Sequence, residues 1–425
     1  MLMRFGVSNY RSILDYQELL LIASALKDPG PDLIAKDRIR ERVLPSVLIY
    51  GANASGKSNV LSALNFIRSA VLNSHKSQSP NSKIPRNPFL LRPSSSQLPT
   101  KMDCDFVVDG IRYNFGFVAS DEAFEEEWLF AFPEGNRRKW YYRKRGERIS
   151  FGKYFRGKNQ SIADLTRPNV LYLSSAAQNA HEQATHIFNY FEQSWRPVIS
   201  PALDKERLAE ELSNGIDQRI IDFLRLADTG IKSAKVSELA PPEDVTNLLA
   251  RLKNVADAEF PELKFDPITA KNKLSLAHYG GEEGSEEIFL NINLESRGTL
   301  RLLKLLHPVL HALDTGGLIL VDEIDSSIHA LLSRGILSLF SSSKTNRYGA
   351  QIIATTHDTT LLCADFLRRD QIWFTEKDRT GGTHLFPLTD IRTRNTDNFE
   401  KGYLQGRFGA VPFLGPIDDL LGERA

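Results

Sequence analysis

The chain has 425 residues, enough for one large α/β domain with insertions or for two or three smaller cores. Lys plus Arg and Asp plus Glu each number 53, so no global charge marks a nucleic-acid or membrane-surface binder, and any basic surface is local. Cys104 and Cys363 are too few for a disulfide framework or a metal-ligand spacing, no apolar run approaches the roughly 18 residues of a membrane span, and the first residues lack a signal-peptide core, so a cytoplasmic protein is expected.

Residues 5–13 read as an opening strand and turn, and residues 19–22 as a second strand near it. The run Ser46-Val47-Leu48-Ile49-Tyr50 is short, apolar and rich in β-formers, which predicts a buried strand. It leads into Gly51-Ala52-Asn53-Ala54-Ser55-Gly56-Lys57-Ser58 and then a helix with Val60, Leu61, Leu64, Ile67 and Val71 on one stripe. Strand, glycine loop and helix is the order a phosphate-binding loop requires. Gly51 and Gly56 let consecutive N–H groups face inward as an anion nest, closed by the positive end of the helix dipole. The nucleotide contacts expected are Asn53, Ala54, Ser55, Gly56, Lys57, Ser58 and Asn59, with Lys57 on the β- and γ-phosphates and the Ser58 hydroxyl on Mg²⁺. A random chain of this length shows G-x-x-x-x-G-K-[ST] on the order of one time in a hundred.

After this helix, residues 75–100 are rich in Ser, Pro and Asn and read as an exposed connection. Residues 104–108, 112–118, 128–132, 139–143 and 148–151 then cluster β-formers between turns such as Asp109-Gly110 and Arg145-Gly146, predicting an antiparallel β-subdomain. Within it, residues 137–145 mix cations with aromatics, the composition that stacks bases and meets phosphates, though exposed strands also carry Lys and Arg as protection against edge pairing. Residues 169–175 are a further buried-strand candidate, followed by Gln178. Residues 186–263 show helical spacing, as in Ile187, Phe191 and Trp195, and predict an inserted helical lobe; residues 264–294 return to strands around an exposed turn at 279–284.

A second buried strand, Leu318-Ile319-Leu320-Val321, ends in Asp322 and Glu323. Asp322 is expected in the Mg²⁺ shell and Glu323 as the base that takes the proton of the attacking water. An apolar strand ending in Asp-Glu is common alone and informative only when paired with the Lys57 loop. The two lie 265 residues apart, which requires large inserts between the halves of one sheet. Upstream, Ser296 is placed to cap an amphipathic helix carrying Leu300, Leu303, Leu306, Leu310 and Leu313, and Gly298 admits a close phosphate. Downstream, residues 351–355 form a strand leading to His357, residues 371–376 and 384–388 read as the last strands, and the apolar ending around 403–413 is expected to tuck onto the core.

Phe5, Val7, Asn9, Tyr10, Arg11 and Ser12, followed by Tyr50-Gly51 and the Asn53 to Asn59 loop, resemble the ABC-type ATPases of the SMC, RecF and OLD kind. Glu295, Ser296, Gly298 and Thr299, and the Tyr403-Leu404-Gln405-Gly406-Arg407-Phe408-Gly409-Ala410 ending, resemble the RloA-like group most closely. The resemblance implies an α/β fold: an ABC-type P-loop NTPase head with a mixed central sheet, an antiparallel β-subdomain and an inserted helical lobe. The ATPase halves are expected at 1–185 and 264–425, with the lobe at 186–263. It further implies ATP and Mg²⁺ as cofactors, Arg11 beside the nucleotide, Gln178 sensing Mg²⁺ and water, a signature segment at Ser296 and Gly298, and His357 as the switch histidine on the γ-phosphate. Arg297 and Thr299 stand where the usual L-S-G-G-Q has Gly and Gln, so the signature contacts differ. Gln178 matches by position alone and could as well be a plain helix-start residue, and Arg11 a surface turn residue.

The implied activity is ATP hydrolysis by two heads closed on two ATP molecules, a homodimer or a higher oligomer of dimers. The implied setting is prokaryotic antiphage defence with a separate effector such as a Toprim nuclease, and no membrane. Two alternatives stand beside it: a RecF-like repair ATPase binding duplex DNA, and a nucleotide-gated scaffold with negligible turnover.

Overall fold

The computed structural model describes residues 1–77, 79–212, 215–239, 244, 247–248, 251, 253, 271–278, 287–363, 365–394 and 396–411. The strands, in chain order, are β1 (Leu2–Ser8), β2 (Gln17–Leu20), β3 (Ser46–Gly51), β4 (Thr100–Val108), β5 (Ile111–Ala119), β6 (Phe124–Phe132), β7 (Arg138–Lys144), β8 (Ser150–Phe151) and β9 (Trp195–Ile199). They continue with β10 (Ile231–Leu239), β11 (Lys271–His278), β12 (Phe289–Asn291), β13 (Leu318–Val321), β14 (Gln351–Thr355), β15 (Ile372–Lys377) and β16 (Thr383–Pro387). The helices are α1 (Lys57–Ser77), α2 (Asn159–Leu165), α3 (Tyr172–Gln178), α4 (Glu182–Asn189), α5 (Lys205–Glu211), α6 (Gln218–Leu226), α7 (Arg297–Thr315), α8 (Ala330–Ser341) and α9 (Phe399–Leu404).

The chain divides into two units: one of residues 1–200, 308–325 and 333–425, the other of residues 201–307 and 326–332. The first unit holds two sheets. One is antiparallel with order β2-β1-β4-β5-β6-β7-β8, so the predicted β-subdomain exists and the two opening strands belong to it. The other has order β16-β15-β3-β14-β13-β9, parallel from β15 through β9, with β16 antiparallel at its edge. Strand β3 is buried at all six positions, as a parallel strand covered on both faces must be. The stripe on α1 is buried as its spacing predicts, with Val60, Leu61, Leu64, Ile67 and Val71 all fully enclosed.

Two elements in this unit depart from the sequence reading. Residues 190–194 form a π turn, and Trp195 then enters the central sheet as the first residue of β9 instead of continuing a helix. The cause is tertiary. Arg68 on α1 donates from Nε to the carbonyls of Phe191 (3.1 Å) and Trp195 (2.6 Å), and the Phe191 and Trp195 rings stack 5.5 Å apart in the core. Residues 172–175, the larger part of the strand expected at 169–175, instead open helix α3. Its first amides, Tyr172 and Leu173, donate to the buried Glu127 carboxylate at 2.6 and 3.0 Å, a cap supplied from β6.

In the second unit α5 and α6 are amphipathic helices as expected, but β10, β11 and β12 form an antiparallel sheet, and β10 occupies part of the predicted helical lobe. The lobe residues Val245, Leu249 and Leu252 and the turn at 279–284 lie outside the described residues. At the chain's end, Tyr403 on α9 stacks on Phe374 at 5.6 Å and its hydroxyl donates to the Ala410 carbonyl, so residues 399–411 do tuck onto the first unit's core; residues 412–413 lie outside the described residues. No described helix is long and apolar enough to cross a membrane.

Candidate nucleotide site

The glycine loop joins β3 to α1, and its geometry follows from close packing. A Cβ on Gly51 would lie 2.5 Å from the Thr375 carbonyl oxygen, and one on Gly56, where φ is +116°, would collide with the Thr383 hydroxyl. Asn53 and Ala54 form the exposed crest, Ala54 with φ +62°, while Ser55, Gly56 and Lys57 are buried beneath it. The Lys57 ammonium donates to the Gly51 and Ala52 carbonyls at 2.8 and 3.1 Å. Burial pushes it below the usual lysine range, against the upward pull of Asp322, Glu323 and Asp325.

Hydroxyls far away in sequence brace this loop. The Ser55 and Thr375 hydroxyls are 2.6 Å apart, and Thr375 also donates to the Tyr50 carbonyl. Thr383 donates to the Ser55 carbonyl at 2.8 Å and meets the Ser12 hydroxyl at 2.7 Å, which accepts from Asn59 at 2.6 Å. Arg11, with φ +50°, follows from this: its backbone is held by the Asn87 carbonyl and its guanidinium donates to Asn59 at 3.4 Å. The opening turn therefore stands beside the loop.

Strand order brings the carboxylates in. Because β14 lies between β3 and β13, the C-terminal ends of all three strands meet at one edge, where ligands of parallel α/β sheets bind. There the Ser58 hydroxyl donates to Asp322 Oδ1 at 3.0 Å, across 264 residues of sequence. This spacing fits Mg²⁺. Adjacent oxygens of an octahedral shell with bonds of about 2.1 Å stand about 3 Å apart. Ser58 and Asp322 are the residues that fit the ion, and the loop amides and Lys57 fit a triphosphate.

Thr355, at the end of β14, was not singled out from sequence and is fully buried at this edge. Its hydroxyl donates to Asp322 Oδ1 at 2.7 Å and accepts from the Glu323 amide at 2.8 Å. Glu323 has φ +50°, so this amide bond helps hold a backbone conformation that a β-substituted residue adopts at a cost. Next to it, the His357 amide lies 3.3 Å from both carboxylate oxygens of Asp325. Replacing Thr355 by Val keeps the shape but removes one bond from each partner. The expected loss is about 1–3 kcal/mol in urea unfolding, with Thr355→Ser close to wild type; the reverse order, a loss for Ser with Val close to wild type, would mean the methyl group, not the hydroxyl, matters.

Gln178 is not brought to this edge. It is the exposed last residue of α3, and α3 is fastened to the far end of α1 by Ser74 with Ser174 (2.9 Å) and His75 with Ser175 (3.3 Å). At 1.5 Å rise per residue, that end of α1 is about 25 Å from Lys57. The strand beside β13 is β9 instead, and Asp322 donates its amide to the Ile199 carbonyl there.

In the second unit, the Ser296 hydroxyl accepts from the Thr299 amide at 3.1 Å and caps α7 as its sequence predicts. A Cβ on Gly298 would stand 2.8 Å from the Ser327 carbonyl oxygen. His329 caps α8, its Nδ1 accepting from the Leu331 amide at 3.2 Å. In the 137–145 run, Trp140, Tyr141 and Arg143 turn inward: Arg143 meets Glu127 at 3.6 Å and donates to the Val170 carbonyl.

The family model described as "AAA domain, putative AbiEii toxin, Type IV TA system" matches residues 46–364, about three quarters of the chain and the whole span from β3 past His357. The chain belongs to this AAA-domain family. It is thus an AAA-type P-loop ATPase domain. No curated protein matches the chain. Among solved structures, the Smc head bound to the C-winged helix domain of ScpA is similar over 91% of this chain and 97% of that one, at 13% identity and a TM-score of 0.37.

Proposed function

We propose that this AAA-family chain is an ATP-hydrolysing head of the ABC type that closes on a second copy of itself, and that it is the sensing ATPase of a prokaryotic antiphage defence system governing a separate effector such as a Toprim nuclease. The observation that carries the enzymatic part is the meeting of Ser58, Asp322, Glu323 and Thr355 at the end of β3, β13 and β14. Bound ATP with Mg²⁺ supplies the phosphoanhydride and the counter-charge for it. Lys57, now turned onto the loop carbonyls, is the cation that meets the β- and γ-phosphates; Ser58 and Asp322 hold the metal side. Glu323 takes the proton from the attacking water, its backbone fixed by Thr355. Arg11 and Asn59 border the nucleotide, and His357 is the γ-phosphate contact on the reading from resemblance.

The closing step rests on α7. A helix N-terminus capped by Ser296, with Gly298 in its first turn packed against the Ser327 carbonyl, suits a phosphate presented by another subunit. The defence role rests on the RloA-like motifs and on the toxin–antitoxin system in the family's description. Mixing tests the closure. Lys57→Met and Gly298→Asp each abolish turnover alone, but a heterodimer of the two keeps one intact composite site, so an equal mixture regains about a quarter of the wild-type rate. No recovery at any ratio rules out a site shared between copies.

A further inference from the structure

The stretch 137–158 carries ten Lys or Arg and a single acid, Glu147, whereas the whole chain has equal numbers of both signs. It forms β7, β8 and the loop after β8, and β8 is the outermost strand of the antiparallel sheet among the described residues. Some of this charge is spent internally. Arg143 is buried on Glu127, Lys144 meets Glu147 at 3.5 Å and Arg145 meets Glu125 at 2.9 Å. Arg137, Lys139, Arg148, Lys153, Arg156 and Lys158 are exposed and have no acidic partner within ion-pair distance among the described residues. Protection against edge pairing places its charges on the edge strand itself, whereas Lys153, Arg156 and Lys158 lie beyond β8. Six uncompensated cations on one sheet edge exceed that need and create a local positive potential on a neutral protein.

The edge also presents an aromatic ring. Tyr154 lies mid-loop and is 41% exposed, with the Arg138 guanidinium 4.5 Å and the Lys153 ammonium 4.9 Å from its ring centre. Cations beside an accessible ring suit phosphates and bases together, and an acidic peptide has no use for the ring. We infer that this basic edge, built by β7, β8 and residues 152–158, is a binding surface for the phosphodiester backbone of a nucleic acid. It stands apart from the glycine loop and does not depend on the reading of the chain as a defence ATPase.

The test is fluorescence anisotropy of a labelled oligonucleotide, single-stranded in one arm and duplex in the other, across a salt series with the full chain. If all six cations meet phosphates, log K falls against log salt with a slope of about −4 on the single strand or about −5 on the duplex. The combined variant Arg148→Glu, Lys153→Glu, Arg156→Glu and Lys158→Glu is expected to weaken binding at least a hundredfold and flatten the slope by about 3, with ATP turnover unchanged. The corresponding Gln variant flattens the slope equally and serves if charge reversal disturbs the fold. Tyr154→Ala assigns the source: a loss of about tenfold confined to the single strand means stacked bases, and no change in either arm means backbone contact alone. The inference is overturned if the wild type shows no salt-dependent binding, if polyglutamate competes as well as unlabelled oligonucleotide, or if the folded charge variants bind like the wild type.

Discussion

Glu323→Gln lowers steady-state phosphate release by about 10²–10⁴-fold while the protein still binds ATP. Glutamine has the shape of glutamate but cannot take a proton from water. The substitution leaves the placement of the side chain intact, because that placement comes from the backbone: the Glu323 amide donates to Thr355, the Ile324 amide donates to the Thr355 carbonyl at 3.0 Å, and φ stays positive. Binding, read with a fluorescent ATP analogue, rests on Lys57, Ser58 and the loop, which the change does not touch. On the proposed reading, the variant also accumulates as an ATP-held dimer, visible by light scattering. Equal phosphate release from wild type and variant removes Glu323 from the chemistry and favours a nucleotide-gated scaffold.

The largest loss of stability is expected at Glu127, far from that edge. Its carboxylate is wholly buried and accepts from the Tyr141 hydroxyl at 2.7 Å and from the Tyr172 and Leu173 amides, with Arg143 at 3.6 Å. Burial raises its pKa, and Arg143 and the hydrogen bonds pull it back. Glu127→Ala leaves the Arg143 charge buried without its counter-ion and strips the cap from α3, which costs about 3–5 kcal/mol. In a unit of this size that is a fall in Tm on the order of 10 °C, measurable by calorimetry. The paired change Glu127→Leu with Arg143→Met is expected to recover most of it, since removing both charges leaves no ion to desolvate. If the pair is as unstable as the single variant, the hydrogen-bonded cap, and not the charge, holds this corner together.

Local pattern alone determined the strand, glycine loop and helix at 46–77, the hairpins between β4 and β7, and the strands that end in Asp322 and His357. In these places alternation or helical spacing, turn residues and glycines act over a few neighbours, and the chain obeys them. The positions of Lys57, Ser58 and Asp322 were legible for the same reason, since each sits at the end of a recognisable element. Tertiary structure decided the rest. The spacing of Ile187, Phe191 and Trp195 fits a helix, yet Trp195 opens a strand because its partner β13 and the Arg68 guanidinium lie about 120 residues away in opposite directions along the chain. The apolar run before Ser174 fits a strand, yet it coils because a carboxylate 45 residues upstream caps it, and this carries Gln178 away from the nucleotide edge. Thr355, Thr375 and Thr383 look in sequence like any strand or turn residue. Only the sheet order, which sets β14 between β3 and β13 and folds β15 and β16 over the loop, turns their hydroxyls into the frame of the site.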